Sequence, residues 1–214
     1  MKISKLFAAV AVSMALLPGG AAFAADAAEP AAPHAMNWFG GPVYTGAPAL
    51  PVTAALVKAG GGAEHFSFPT ALVSMLGQKT VNAEVKKLTE QFGKKNTEDF
   101  INGMTWDVND GLKRATEAGV KLPPAPADLK GVKLAKTLVS AGTAPDGVWW
   151  AGYLFDKALS HQIHNQVMAD VDVKFGHGRD MNTHYILNQA MYDVAQALGE
   201  KDVKLAPTHL PASH

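Results

Sequence analysis

Residues Leu56–Gly60 read LVKAG, and residues Leu138–Gly142 read LVSAG. The agreement continues downstream in the same order. Leu76, Leu88, Phe92 and Gly93 fall on Leu159, Val171, Phe175 and Gly176 at an offset of 83 residues. Trp106-Asp107-Val108 falls on Tyr192-Asp193-Val194 at 86, and Val120-Lys121-Leu122 on Val203-Lys204-Leu205, again at 83. A drift of a few residues is what loops of unequal length produce. The sequence therefore predicts a tandem duplication, residues 52–123 and 130–207, joined by the Pro-rich PPAPADLKG. Two Ala/Leu/Val-rich amphipathic segments also resemble each other through patterning alone, so this is an expectation that the fold has to meet.

From Val52 onward the apolar residues recur with helical spacing, and Gly or Pro punctuates the runs. Helices are expected near 52–59, 68–77, 81–92, 97–118, 130–141, 148–159, 161–175 and 181–198. Pro69 suits a first turn, Thr80 and Asn96 suit N-caps, and Gly93, Gly119, Gly142, Gly176 and Gly199 suit C-terminal stops. No segment alternates as a strand does. The expected fold is all-α, a bundle of about eight helices arranged as two tandem pseudo-symmetric four-helix units. Each unit would cover the other's apolar faces, and the groove between them is the default place for a ligand.

The first 24 residues read as a secretory signal peptide: a basic MKISK, an apolar stretch from Leu6 to Leu17, Pro18-Gly19-Gly20, and Ala22-Phe23-Ala24 as a small-x-small cleavage site. The apolar stretch is shorter than the roughly 20 residues that span a bilayer. With no cysteine in the chain, neither a thioether-linked lipid nor a disulfide can form. A soluble protein of the periplasm, or a secreted one, is expected, with no membrane span after cleavage. Residues 25–51 are rich in Ala, Pro and Gly without periodicity and read as an arm, whose Trp38, Phe39 and Tyr44 are expected to dock on the helical body rather than stay in water.

The whole chain carries 19 basic and 19 acidic residues. Loss of Lys2 and Lys5 with the signal peptide leaves an excess of two acids. Such a balance does not steer the protein to nucleic acid.

In the third helix of the first unit, Val81, Val85, Leu88 and Phe92 form one apolar stripe. Its counterpart in the second unit is His164, Met168, Val171 and Phe175, so an imidazole stands where the sister unit has Val. His161 precedes His164 on nearly the same face, a spacing that lets two imidazoles reach one ion. His177 and His184 are further candidate ligands, with Asp170, Asp172, Asp180 and Met168 nearby. Zinc or nickel suits a His/Asp set, whereas haem iron or copper suits His164 with Met168 or another His. The competing reading is a core histidine that hydrogen-bonds a carbonyl or an Asp. Asp107 and Asp193 match in the internal comparison and read as interhelical hydrogen-bonding groups. Trp149, Trp150 and Tyr153 form an aromatic run that either lines a ligand pocket or belongs to the core.

No nucleophile elbow, metalloprotease helix, Walker loop or dinucleotide fingerprint occurs. The first functional expectation is a non-enzymatic binding or accessory protein with a small molecule or a periplasmic protein as partner. The alternatives are a transition-metal or haem protein built on the second unit's histidines, and a structural scaffold.

Overall fold

The computed structural model describes residues 41–207, apart from the side chains of His177 and Asp180. The signal peptide, Trp38 and Phe39 lie outside the described residues. Eight helices follow one another: α1 (Leu50–Ala59), α2 (Phe68–Leu76), α3 (Gln78–Phe92), α4 (Lys94–Glu117), α5 (Gly131–Gly142), α6 (Ala151–Leu159), α7 (His161–Phe175) and α8 (His177–Ala197). Among the described residues, extended pairing is confined to isolated bridges, Thr143–Trp149 and Val148–Lys204 among them. The protein is an all-α bundle, and no described helix is long and apolar enough to cross a membrane.

The junctions between helices explain where the sequence reading missed the boundaries. Gly93 ends α3 and begins α4, and Gly176 ends α7 and begins α8, with φ of 83° and 86°. A residue in this left-handed region reverses the chain direction in a single step, which L side chains resist. A separate cap is then unnecessary. Thus α3 starts at Gln78 rather than after Thr80, α4 at Lys94 rather than after Asn96, and α8 at His177 rather than near 181. At the other end of the error, α6 starts only at Ala151, because Val148 and Trp149 are held in the two bridges.

Some helix lengths recur between the first four and the last four helices, although α1 and α5 have 10 and 12 residues and α4 and α8 have 24 and 21. Both α2 and α6 have 9 residues, and both α3 and α7 have 15. From Phe68 to the start of α4, every boundary recurs 83 positions later. Contacts between the halves are reciprocal as well: α2 packs on α5 and α1 on α6, α4 on α7 and α3 on α8, and the long helices α4 and α8 pack on each other. Counted from the starts of α4 and α8, which lie 83 positions apart, Asp193 falls on Asp110 rather than on Asp107.

The main core draws on both halves, with Phe68, Phe92 and Phe100 from the first and Leu134, Trp149 and Ile186 from the second. A smaller cluster seats Leu159, Ile163, Val167 and Val171 against Ala115 of α4. Gly142 is required by close approach, since a Cβ there would lie 2.3 Å from the Trp149 indole nitrogen. Part of the N-terminal arm is tied to α6. Tyr44 meets Tyr153 edge-on at 5.5 Å, the Lys157 ammonium lies over both rings, and the Ala49 N–H donates to the Lys157 carbonyl at 2.6 Å.

Candidate metal centre

Ser160 is the single residue between α6 and α7, and its φ of 137° makes it the one non-glycine residue with positive φ among those described. The equivalent junction in the first half is Gly77. A serine in this region is strained by roughly 1 kcal/mol or more. The strain is offset locally: Ser160 Oγ accepts from the Ile163 N–H at 3.3 Å, and the Ser160 carbonyl accepts from the His164 N–H at 3.0 Å. The sharp turn folds the start of α7 against the end of α6. Consequently Asp156, well before the junction, faces His161 and His164 just after it.

Asp156 is fully buried and His164 nearly so, while His161 reaches solvent with a third of its side chain. One carboxylate oxygen serves both imidazoles. Asp156 Oδ1 accepts from His164 Nδ1 at 2.7 Å and from His161 Nδ1 at 3.0 Å. Asp156 Oδ2 accepts from the Tyr44 backbone N–H at 3.0 Å, which joins the arm to the cluster. Asn165 Nδ2 lies 3.0 Å from His161 Nε2 and donates to it, which places the His161 proton on Nδ1. Burial pushes the Asp156 carboxyl up, but the hydrogen bond and charge of His164, the Tyr44 N–H and His161 together outweigh it and hold the group below its ordinary value. Asp156 is a carboxylate at neutral pH.

Ligand atoms of Asp156, His161 and His164 all lie within 4.8 Å of one another, close enough for one ion. Two imidazoles and a carboxylate are ordinary ligands of zinc and other first-row divalent ions, and three protein ligands leave further positions for water. The paired histidines were visible in the sequence as an i, i+3 pair. Asp156 was not, because it lies on the preceding helix and only the Ser160 turn brings it round.

The remaining candidates stand elsewhere. His184, on α8, is buried and stacks on the His164 ring at 5.9 Å, with Phe155 against both rings. Its ring extends the cluster without belonging to the convergent set. Met168 packs in the smaller apolar core, and Asp170 pairs with Arg114 at 2.5 Å. The side chains of His177 and Asp180 are outside the described residues. Trp149 is sealed in the core with its indole N–H on the Leu138 carbonyl at 3.3 Å. Trp150 lies beneath Gly41, and Tyr153 beneath Tyr44, so the described part of the arm covers both.

At an offset of 83 positions, Asp156, His161, His164 and His184 fall on Val73, Gln78, Val81 and Ile101. A buried carboxylate and imidazoles cost desolvation wherever they are placed. Compared with family models, curated proteins and solved structures, the chain matches none.

Proposed function

We propose that this is an exported binding protein that holds one divalent transition-metal ion, of the zinc or nickel type, on Asp156, His161 and His164. The observation that carries the reading is the convergence of two imidazoles and a carboxylate on one point at the junction of α6 and α7, where positions offset by 83 carry Val73, Gln78 and Val81. Ionisable groups gathered and buried in one place mark sites where function rather than stability explains the residue. The signal-peptide pattern of residues 1–24 supports the periplasm, or the outside of the cell, as the compartment.

Binding would shift the proton within each imidazole. Both Nδ1 atoms now face Asp156, so each imidazole must carry its proton on Nε2 to coordinate through Nδ1. The Asn165 amide, turned over, accepts that proton from His161. Tyr44 N–H stays on Asp156 Oδ2 and fixes the carboxylate, the part a neighbouring group plays around many metal ligands. Without metal, the same hydrogen bonds form a latch between α6, α7 and the arm, and this is the second reading that the 2.7 Å and 3.0 Å contacts favour.

The experiment is elemental analysis of protein purified without an affinity tag, followed by titration of chelator-treated protein with zinc and nickel. One equivalent bound by the parent and lost in Asp156→Ala, with helical content intact, is the expected result. A parent that binds no ion, or an Asp156→Ala variant that binds as the parent does, leaves the latch alone.

A further inference from the structure

We infer that the pocket where α4 and α8 begin binds the oxyanion group of a small acid, a carboxylate or a phosphate, at a site separate from the metal centre. His161 opens α7 and Phe175 closes it, and this pocket lies at the Phe175 end. It measures about 270 Å³, and Lys95, Asp99, Phe175, Arg179 and Asn182 are among its walls. Lys95 and Phe175 are exposed, so a ligand has access from solvent.

Arg179 decides the class of ligand. A guanidinium keeps its charge and carries several N–H donors. Here Nη2 makes one long hydrogen bond, 3.4 Å to the Asp99 carbonyl, and Nη1 is buried with no hydrogen-bond partner. Lys95 and the Asp99 carboxylate, also on the wall, pair with each other at 2.5 Å. Among the described residues of the wall, the Arg179 charge is thus left uncompensated. An enclosed donor without an acceptor is costly, and an oxyanion supplies the opposite charge and the acceptor atoms together.

The guanidinium is also held in place before anything binds. Its central carbon lies 3.6 Å from the centre of the Phe175 ring, and a Cβ at Gly103 of α4 would lie 3.0 Å from Nη2. A fork packed against a ring and a helix loses little freedom on binding. The volume sets the size of the ligand. It falls just short of the roughly 300 Å³ at which drug-sized sites begin, which leaves room for phosphate or a short carboxylic acid with its waters. The Asn182 amide offers a neutral donor and acceptor for the remainder.

The test is calorimetric titration of the full chain with inorganic phosphate, acetate and succinate at constant ionic strength, in chelator so that no ion at Asp156 can bridge to the anion. One saturable site is expected, and the tightest of the three probes identifies the headgroup. Arg179→Gln should weaken it about tenfold or more. Lys94→Gln removes an equal charge next to the wall and should bind as the parent does. Where Arg179→Gln does not fold, Gly103→Ala decides: alanine suits a helix interior, and its methyl displaces the guanidinium while leaving every charge in place, so binding should again weaken. Absence of saturable binding for all three probes would overturn the proposal. So would a folded Arg179→Gln variant that binds as the parent does, or an equal loss in Lys94→Gln, which would mark diffuse attraction rather than a site.

Discussion

Asp156 and His164 meet through Oδ1 and Nδ1 at 2.7 Å, both inside the bundle, at the level where the first half carries Val73 and Val81. At an offset of 83 positions the chain carries apolar residues in both places.

The double replacement separates its cost from its use. His164→Val alone leaves a buried carboxylate with one fewer donor and is expected to lower stability by about 3 kcal/mol. Adding Asp156→Val restores the apolar chemistry of the sister half and should bring stability back to within about 1 kcal/mol of the parent. Metal binding should be lost in both. Urea denaturation of the parent, the two single variants and the double variant reads the coupling; strictly additive losses would mean that the two side chains act independently.

Acid should weaken the protein through Asp156. Its folded carboxyl is held below the ordinary value by His164, Tyr44 and His161 against the opposing effect of burial. The stability it contributes is therefore fully present above the ordinary carboxyl range and disappears as pH falls through the folded value. Asp156→Asn cannot titrate, so its melting temperature should fall less steeply than the parent's below about pH 4. Metal affinity should decline as well, because a protonated ligand cannot coordinate.

An opposite dependence is expected from the carboxyl pairs that bridge the reciprocal interfaces. Glu84 of α3 shares a hydrogen bond with Asp193 of α8, beside Lys87. Asp110 of α4 shares one with Asp170 of α7, beside Arg114. Burial, with the neighbouring Asp193 charge and hydrogen bond, raises Glu84 from 4.5 to about 7 despite Lys87; burial, then Asp170, raises Asp110. A raised carboxyl binds its proton more tightly when folded. Its stabilisation is complete below the unfolded value and is lost as pH climbs through the folded one. Glu84→Gln keeps a donor toward Asp193 and does not titrate. It should be more stable than the parent at pH 8 by on the order of 1 kcal/mol after allowance for solvent screening, and should lack the decline between pH 5 and 7. Thermal melts across that range check it, and a parallel pair of curves would rule out the shared proton.

If the halves arose by duplication, they should behave as partners. Residues 41–127 and 128–207 produced as separate chains are expected to be poorly folded alone and to form a stable one-to-one complex when mixed, because the main core draws side chains from both. Circular dichroism and size-exclusion chromatography report it. A crystal structure should also superpose α1–α4 on α5–α8 in order; a superposition that pairs different helices would end the argument from the repeat.

Much of the helical layout could be read from the sequence because its causes are local. The spacing of Val81, Leu88 and Phe92 marks a helix face, and Gly93 and Gly176 mark ends, since left-handed backbone suits the residue that has no Cβ. The pairing of His161 with His164 follows from helix geometry in the same way. What the local pattern does not contain is the partner across a turn. Asp156 reaches both histidines only through the strained Ser160 junction, and the sequence reading looked instead to Asp170, Asp172 and Asp180, which follow on the same helix or just beyond it. Trp150 and Tyr153 likewise looked open until Gly41 and Tyr44, more than a hundred positions earlier, were found lying over them. Helix periodicity is set by a residue's near neighbours; which oxygen faces an imidazole, and what covers an aromatic face, are decided by groups that meet only when the chain packs, and that knowledge belongs to the tertiary structure alone.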